Sequence, residues 1–238
     1  MSALLEIKDL WGGYTVGVDI LRGINMEVQQ GEAVGIIGLN GSGKSTLGKA
    51  IMNMIPYRRG QILFNGEDIT GLRTDQLAQR GIAIMQQGGR VFPNLSVWDN
   101  LQLAARLGNS SHTNFNSQLF EIIPLLQRPQ KELQRLMADK LSGGQRHQLS
   151  LAMSLANHPV LIIFDEPSAG LSPIAIEEMF EILRGVRTRL NITIMLIEQS
   201  IAKALGFCDI NVMMQQGLAC RIQSNGNIEE IDRIMFKI

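Results

Sequence analysis

The nine residues GLNGSGKST, from Gly38 to Thr46, combine residue types that bind phosphate. Their spacing is G-x-x-x-x-G-K-S, in which glycines let successive backbone N–H groups point into one anion-sized hollow. Lys44 adds a positive charge, and a helix that begins near Ser45 adds the positive end of its dipole. The segment therefore predicts a loop that binds the phosphates of a nucleotide.

The neighbouring sequence favours this interpretation over a glycine turn with an incidental lysine. The apolar run AVGII precedes the segment and a helical pattern follows it, and the motif has mechanistic meaning in such a strand–loop–helix setting. We expect the Ser45 hydroxyl to bind a Mg²⁺ ion that bridges two phosphates, and Thr46 to add a phosphate hydrogen bond. The candidate nucleotide ligands are Gly38, Asn40, Gly41, Ser42, Gly43, Lys44, Ser45 and Thr46.

Two acids at the end of a second apolar run are candidate catalytic groups. The segment VLIIFDEP places Asp165 and Glu166 directly after a predicted buried strand. We expect Asp165 to hold the magnesium ion through water. Glu166 is then the candidate that polarises the attacking water, because the first carboxylate is engaged by the metal. The alternative is a strand that ends in two solvated acids.

The segment LSGGQ, residues 141–145, is a second potential anion site, because a serine and two glycines stand where a helix begins. One nucleotide does not need two such sites from one chain. The phosphate loop, LSGGQ and LIIFDEP, in this order, resemble the ATPase subunit of an ABC transporter. The resemblance extends over essentially the whole chain.

That resemblance implies a paired enzyme. In the family, two ATPase domains stack head to tail, and ATP lies between the phosphate loop of one and the LSGGQ segment of the other. Dimer closure is then expected to depend on ATP, because the two anion sites share the γ-phosphate as a ligand. The residues implied to contact the partner's ATP are Ser142, Gly143, Gly144 and Gln145.

Three further family positions can be carried over to this sequence. Tyr14 matches the aromatic residue that stacks on adenine, the alternative being a core or turn tyrosine. Gln87 matches the glutamine that contacts magnesium and the attacking water. Gln86 stands where the family usually has proline, so the register is open by one residue. The segment SAGLS, residues 168–172, matches the loop along the dimer seam.

The chain departs from the family pattern at Gln199. Most ABC ATPases have a histidine there that holds the γ-phosphate. A glutamine can donate a hydrogen bond through its amide but cannot carry imidazolium charge. We therefore expect hydrolysis to be slower or to rely more on Glu166, with Gln199 as the third catalytic candidate. His147 and His158 are expected to be structural.

The departure also narrows the resemblance. Three segments resemble those of the second ATPase subunit of branched-chain amino acid and urea/amide importers. They are the pair Glu198-Gln199, GRVFPNLSV and DEPSAGLSP. The resemblance implies separate integral membrane permeases, a substrate-binding protein, and a peripheral location on the cytoplasmic face of the cell (inner) membrane. A permease helix would dock on Arg90, Val91, Phe92, Leu95 and Trp98, unless Phe92 and Trp98 are ordinary core residues.

The overall composition is compatible with these assignments. The 238 residues include 22 Lys+Arg and 22 Asp+Glu, and this zero net charge argues against a dedicated nucleic-acid-binding protein. Two cysteines without metal-ligand spacing predict a reducing compartment. The apolar runs are too short to cross a bilayer, and the acidic residues Glu6 and Asp9 predict that the N-terminus is not a signal peptide.

The elements that must position these groups indicate an α/β P-loop NTPase fold. Alternating apolar residues in the first sixty-odd positions predict an antiparallel β part, and continuous apolar runs predict parallel strands covered on both faces. Residues from about 97 to 140 form helical patterns that predict an inserted lobe. We therefore expect a single ATPase domain over 1–238, with its core at 1–96 and 141–238.

Three classes of function fit a phosphate loop. An importer ATPase, with ATP and Mg²⁺, is favoured by the full motif set. A soluble ABC protein that acts as a nucleotide-gated switch would usually carry extra modules, zinc ligands or a basic arm, and none is visible in the sequence. A small-molecule kinase has no use for LSGGQ ahead of LIIFDEP.

Overall fold

The computed structural model describes residues 3–106, 115 and 117–222. These residues form two compact units. The first comprises the described chain up to Leu77 and from Thr193 onward, and the second is Ala78–Ile192. The two units meet after Leu77 and after Ile192, whereas the sequence suggested a helical lobe bounded near residues 96 and 140. The lobe boundaries stay a prediction.

The first unit contains two groups of strands. Its elements, in chain order, are β1 (Leu5–Gly13), β2 (Leu21–Val28), β3 (Ala33–Ile37), α1 (Lys44–Ile51), β4 (Tyr57–Phe64), β5 (Glu67–Asp68), α2 (Thr74–Gln79, which crosses into the second unit), β8 (Thr193–Glu198), α8 (Ile201–Phe207), β9 (Ile210–Gln215) and β10 (Leu218–Ile222).

The antiparallel sheet has the strand order β2-β1-β4-β5. Along β2, the apolar residues Leu21, Ile24, Met26 and Val28 are buried, and most of the residues between them are exposed. A strand with one face on a core has this period of two, so the alternation in the sequence is confirmed as a half-buried sheet.

The parallel strands form the other group. β3 lies between β8 and β9 and is parallel to both, and β10 pairs with β9 in the antiparallel sense. Every residue of β3 and β8 is buried. These strands are buried on both faces, which explains why their sequences are continuous apolar runs.

The second unit combines a parallel strand pair with helices. Its elements are β6 (Ile82–Met85), α3 (Val97–Arg106), α4 (Ser117–Ile122), a 3₁₀ turn (Pro124–Gln127), α5 (Gln130–Leu133), a second 3₁₀ turn (Ala138–Lys140), α6 (Gly143–Leu155), β7 (Leu161–Asp165) and α7 (Pro173–Leu190). β6 and β7 pair in parallel, with Ile82 opposite Leu161. The α/β fold with a mostly parallel mixed sheet and an antiparallel sheet is therefore confirmed.

Trp98 and Phe92, two residues considered for permease docking or for the core, differ in their surroundings. The Trp98 ring lies 5.5 Å from Phe115 and 6.4 Å from Phe120, measured between centroids. Phe92, by contrast, is 46% exposed. Trp98 is thus half-buried in this aromatic cluster, whereas Phe92 is available on the surface. The helices of the described chain include no segment with the length and hydropathy needed to cross a bilayer.

Candidate nucleotide-binding and hydrolysis site

The phosphate loop connects the end of β3 to the start of α1. Gly41 and Gly43 have φ angles of +79° and +106°, which a residue with a side chain adopts only under strain. Gly38 is needed for another reason, because a Cβ there would lie 2.3 Å from the carbonyl oxygen of Met214. The backbone path of the loop therefore requires glycine at these positions.

Lys44 is buried, with 4% of its surface exposed. Its Nζ donates to the carbonyl oxygens of Gly38 and Leu39, at 2.8 and 3.1 Å. A buried ammonium group needs such partners, because its desolvation is costly. The two bonds hold the positive charge against the start of the loop, where the sequence places the phosphates.

The helix that follows the loop begins without a side-chain cap. Gly43 is the N-cap of α1, and the first turn, which includes Ser45 and Thr46, contains no acidic residue. The first N–H groups of a helix have no partner within the helix, and the helix dipole favours an anion beside them. The start of α1 is therefore suited to a phosphate group.

Tyr14 lies in the same unit as the phosphate loop. Its side chain is 47% exposed, and Nζ of Lys49 in α1 lies 5.8 Å from the ring centroid. The exposure excludes the alternative of a core tyrosine. An exposed ring beside the helix that follows the loop is suited to stack on a purine base.

The candidate catalytic residues Gln87 and Glu166 contact each other in the second unit. Nε2 of Gln87 donates to Oε2 of Glu166 over 3.0 Å, across a separation of 79 residues. Gln87 follows β6 and Glu166 follows β7, and because these strands are parallel their carboxyl ends are neighbours. Gln87 thus reaches the candidate acid, and its role in catalysis stays a prediction.

Asp165 and Glu166 differ in their surroundings although they are adjacent. Asp165 is the last residue of β7 and is buried, with 5% of its surface exposed. Glu166 is more accessible, and its backbone has φ of +51°, a region that costs a non-glycine residue about 1–3 kcal/mol. The strained backbone turns Glu166 out of the strand direction, so the two carboxylates are presented differently.

The LSGGQ segment begins α6 and is accessible. Ser142 is the N-cap: its Oγ accepts from the N–H of Gln145 at 3.2 Å, and its own N–H donates to Oε1 of Gln145 at 3.1 Å. This capping box fixes the first turn, where Gly143 and Gly144 leave the backbone open. The helix therefore begins at Gly143, directly after its cap Ser142.

A cavity of about 560 Å³ lies in front of this helix start. The start of α7 lines it as well, where Oγ of Ser172 accepts from the N–H of Ala175 at 3.4 Å. Arg128 adds a positive charge to the wall and Glu178 adds a negative one. The two helix N-termini favour an anion in the cavity, whereas the charges of Arg128 and Glu178 oppose each other.

Gln199 follows β8 in the first unit and is exposed, so its amide is accessible to a ligand. The preceding Glu198 is 3% exposed, and its Oε1 has no hydrogen-bond partner within the described chain. The burial of Glu198 is not evident from the sequence, because a charged residue at a strand end is more often solvated.

His147 is buried on α6, where Nδ1 lies 3.0 Å from the carbonyl oxygen of Gly143. Its ring also lies against the loop after β6, since a Cβ on Gly89 would be 3.0 Å from Nδ1. His158 is exposed and has positive φ. Nothing in the sequence pattern signals the contact between His147 and Gly89.

The candidate groups thus fall into two sets. Tyr14, the phosphate loop and Gln199 lie in the first unit, whereas Gln87, Asp165, Glu166 and the LSGGQ segment lie in the second. A shared magnesium site of Ser45, Gln87 and Asp165 joins both sets and stays a prediction. A hydroxyl, an amide oxygen and a carboxylate are a donor set that suits Mg²⁺, which prefers oxygen ligands.

A glycine loop between a parallel strand and a helix, with a buried lysine bound to the loop carbonyls, defines a phosphate-binding α/β protein. The ABC transporter family matches residues 21–169. The chain belongs to this family and is an ATPase with an ATP-binding fold.

Curated relatives and solved structures agree with this assignment. The high-affinity branched-chain amino acid transport ATP-binding protein BraG of Pseudomonas aeruginosa is 33% identical, over 84% of this chain and 84% of its own. The probable branched-chain amino acid transport ATP-binding protein LivF of Archaeoglobus fulgidus is also 33% identical, over 96% and 94%. The crystal structure of a nucleotide-free ATP-binding cassette from an ABC transporter matches at TM-score 0.81 and 25% identity, covering 99% and 96% of the two chains.

Relatives with other named roles match as well. The lipopolysaccharide export system ATP-binding protein LptB of Escherichia coli K12 is 29% identical, over 90% of this chain and 88% of its own. Membership of the family therefore leaves several transported molecules open, and the choice among them rests on further argument.

Proposed function

We propose that this chain is the ATP-hydrolysing subunit of an importer, that it dimerises around ATP, and that it powers uptake of branched-chain amino acids or a related small polar solute through separate permeases. The observation that carries the proposal is the second accessible anion site, the start of α6 at Ser142, in addition to the phosphate loop. A chain that bound and hydrolysed ATP alone would have no use for both.

Each described group has a defined task in this mechanism. The loop from Gly38 to Thr46 binds the β- and γ-phosphates, with Lys44 as the positive charge and Tyr14 under the adenine. Ser142, Gly143 and Gly144 bind the γ-phosphate of ATP held by the partner. Bound Mg²⁺ would neutralise phosphate charge, held by Ser45, Asp165 and Gln87.

Glu166 and Gln87 carry the chemical step. Glu166 takes a proton from the attacking water as the water oxygen bonds to the γ-phosphorus, and the bond from that phosphorus to the bridging oxygen breaks. The products are ADP and inorganic phosphate, and Glu166 then returns its proton to solvent. The bond from Gln87 holds the carboxylate in place between turnovers. Gln199 donates an amide hydrogen bond to the γ-phosphate.

Hydrolysis then releases the dimer. With the γ-phosphate present, the loop of one subunit and the α6 start of the other share a ligand, and without it they do not. Size-exclusion chromatography with light scattering tests this step. Glu166→Gln protein with ATP and Mg²⁺ should elute as a dimer and, with ADP, as a monomer. A monomer under both conditions would remove the basis for the proposal.

The choice of solute rests on similarity to BraG and LivF and on the segments DEPSAGLSP and Glu198-Gln199. Exposed Phe92 is a candidate contact for the permease. The subunit would act at the cytoplasmic face of the inner membrane, with a substrate-binding protein on the other side. Uptake of labelled leucine and urea by cells with and without the gene tests the solute, and unchanged uptake of both would refute this choice.

A soluble nucleotide-gated switch is the second candidate. It would use the same ATP clamp, so the dimer experiment does not separate the two. Purification from cell extracts does: the importer subunit should sediment with membranes and a permease. Recovery in the soluble fraction with nucleic acid would favour the switch.

A further inference from the structure

The turn between β9 and β10 is in direct contact with the phosphate loop. Its central residues, Gln216 and Gly217, have φ of +50° and +84°, and the flanking residues Gln215 and Leu218 are paired. These are the features of a two-residue type I′ hairpin turn. The N–H of Gly217 donates to the carbonyl oxygen of Ser42, inside the loop, over 3.0 Å.

A second contact lies close to the first. The backbone of β9 is so near the loop that a Cβ on Gly38 would lie 2.3 Å from the carbonyl oxygen of Met214. A cavity of about 180 Å³ also separates parts of the loop from this hairpin, so the packing there is incomplete. The hydrogen bond from Gly217 and the close contact at Gly38 therefore provide much of the packing between this hairpin and the phosphate loop.

Gly217 is itself anchored. Its carbonyl oxygen accepts from the N–H of Arg22, at the start of β2, over 2.8 Å. A Cβ at this position would lie 2.1 Å from the carbonyl oxygen of Ile20, so no side chain fits without a shift of the turn. Both backbone polar groups of Gly217 are thus committed, one to the phosphate loop and one to the antiparallel sheet.

The bond to Ser42 has a consequence for the next peptide group. In a planar trans peptide, the carbonyl of one residue and the N–H of the next point in opposite directions. With the carbonyl of Ser42 bound to the turn, the N–H of Gly43 points away from the turn. The Ser42 hydroxyl is buried and has no hydrogen-bond partner within the described chain, so it does not secure this orientation.

We propose that Gly217 is a positioning residue for nucleotide binding: its bond to Ser42 turns the N–H of Gly43 into the phosphate-binding hollow. The proposal rests on the proposed binding of ATP by residues 38–46. It adds that the hairpin of β9 and β10, distant in sequence, sets the affinity of that loop for phosphate.

The substitution Gly217→Ala tests this role, and the chain offers a matched control. Gly66, in the turn between β4 and β5, has φ of +79° and also follows a residue with positive φ, Asn65. A Cβ on Gly66 would meet nothing within 4 Å. Gly66→Ala therefore imposes similar backbone strain in a similar turn without touching the loop.

The dissociation constant of a non-hydrolysable ATP analogue with Mg²⁺ is measured by calorimetry for both variants of the full chain. Loss of one oriented donor to a phosphate should raise this constant about tenfold for Gly217→Ala relative to Gly66→Ala. The melting temperature without nucleotide should fall further for Gly217→Ala, because only its Cβ meets a backbone carbonyl, so both affinities are measured well below the lower of the two melting temperatures. Equal affinities in the two variants would overturn the proposal. If the wild-type protein binds no ATP analogue, the proposed function itself is wrong.

Hydrogen exchange on the wild-type protein gives a second test that needs no variant. The analogue should slow exchange of the Gly217 amide as well as the amides of the loop, because the bound phosphate fixes the carbonyl that Gly217 binds. The Gly66 amide should not respond. Slower exchange in the loop with an unchanged Gly217 amide would contradict the proposal.

Discussion

Nε2 of Gln87 lies 3.0 Å from Oε2 of Glu166 and donates a hydrogen bond to it. An amide donor beside a carboxylate fixes the orientation of that carboxylate without neutralising its charge. The pair therefore gives Glu166 a defined position and leaves it able to accept a proton. This relationship leads to the first of five predictions.

Replacement of Gln87 should weaken catalysis through Glu166. Gln87→Ala removes the donor, and we expect kcat to fall at least about tenfold with a smaller change in KM. Gln87→Glu replaces the donor with a second carboxylate, which repels that of Glu166, so this variant should lose at least as much kcat as Gln87→Ala. Wild-type kcat for Gln87→Ala would show that the bond has no catalytic role.

Replacement of Glu166 should stop turnover but leave binding intact. Glu166→Gln cannot take a proton from water, and loss of a general base costs about 10²–10⁴ in rate. Phosphate release is the measurement, and Glu177→Gln on the exposed surface of α7 is the control. If Glu166→Gln turns over ATP at the wild-type rate, another group is the base.

Lys44→Ala should weaken nucleotide binding without weakening the fold. The ammonium is buried and bound to two carbonyls, and its removal also takes away a desolvated charge. We expect affinity for ATP to fall about tenfold or more, since charge-assisted bonds to phosphate are lost. Calorimetry measures the affinity, and Lys8→Ala, at an exposed ion pair with Glu6, is the control. Equal affinities in both variants would contradict the role of Lys44.

Ser142→Arg should separate dimerisation from binding. The long side chain fills the front of the α6 start, so ATP bound to a partner cannot reach Gly143 and Gly144. ATP binding to a single subunit should persist, whereas ATPase activity and the dimer formed by Glu166→Gln protein should be lost. Ser142→Asn controls for the cap, because asparagine caps a helix as well as serine does. Brisk turnover by Ser142→Arg as a monomer would refute the shared site.

Gln199→His should raise the hydrolysis rate. A histidine can present a charged donor to the γ-phosphate, and preorganised donors aimed at developing charge are a main source of rate enhancement. We expect a severalfold higher kcat at neutral pH, and a lower kcat for Gln199→Ala. Steady-state phosphate release measures both. No change in either variant would place Gln199 outside the catalytic group.

The sequence alone determined the local features of this protein. Some features depend only on residues close together in the chain, so they can be recognised without coordinates. They are the glycine spacing of residues 38–46, the serine that caps α6 and the apolar runs of β3 and β8. The same motifs predicted the α/β fold and the ABC transporter family, and both are confirmed. The start of α1 was expected near Ser45 and lies at Lys44, because its N-cap, Gly43, has no side chain that marks the position.

Only the tertiary structure decided the contacts between distant segments. It paired Gln87 with Glu166, it placed Trp98 in an aromatic cluster and Phe92 on the surface, and it brought Gly217 to Ser42. Such contacts depend on which strands become neighbours and where their ends meet. Residue spacing carries no record of that order, because strands far apart in the sequence can lie side by side in a sheet.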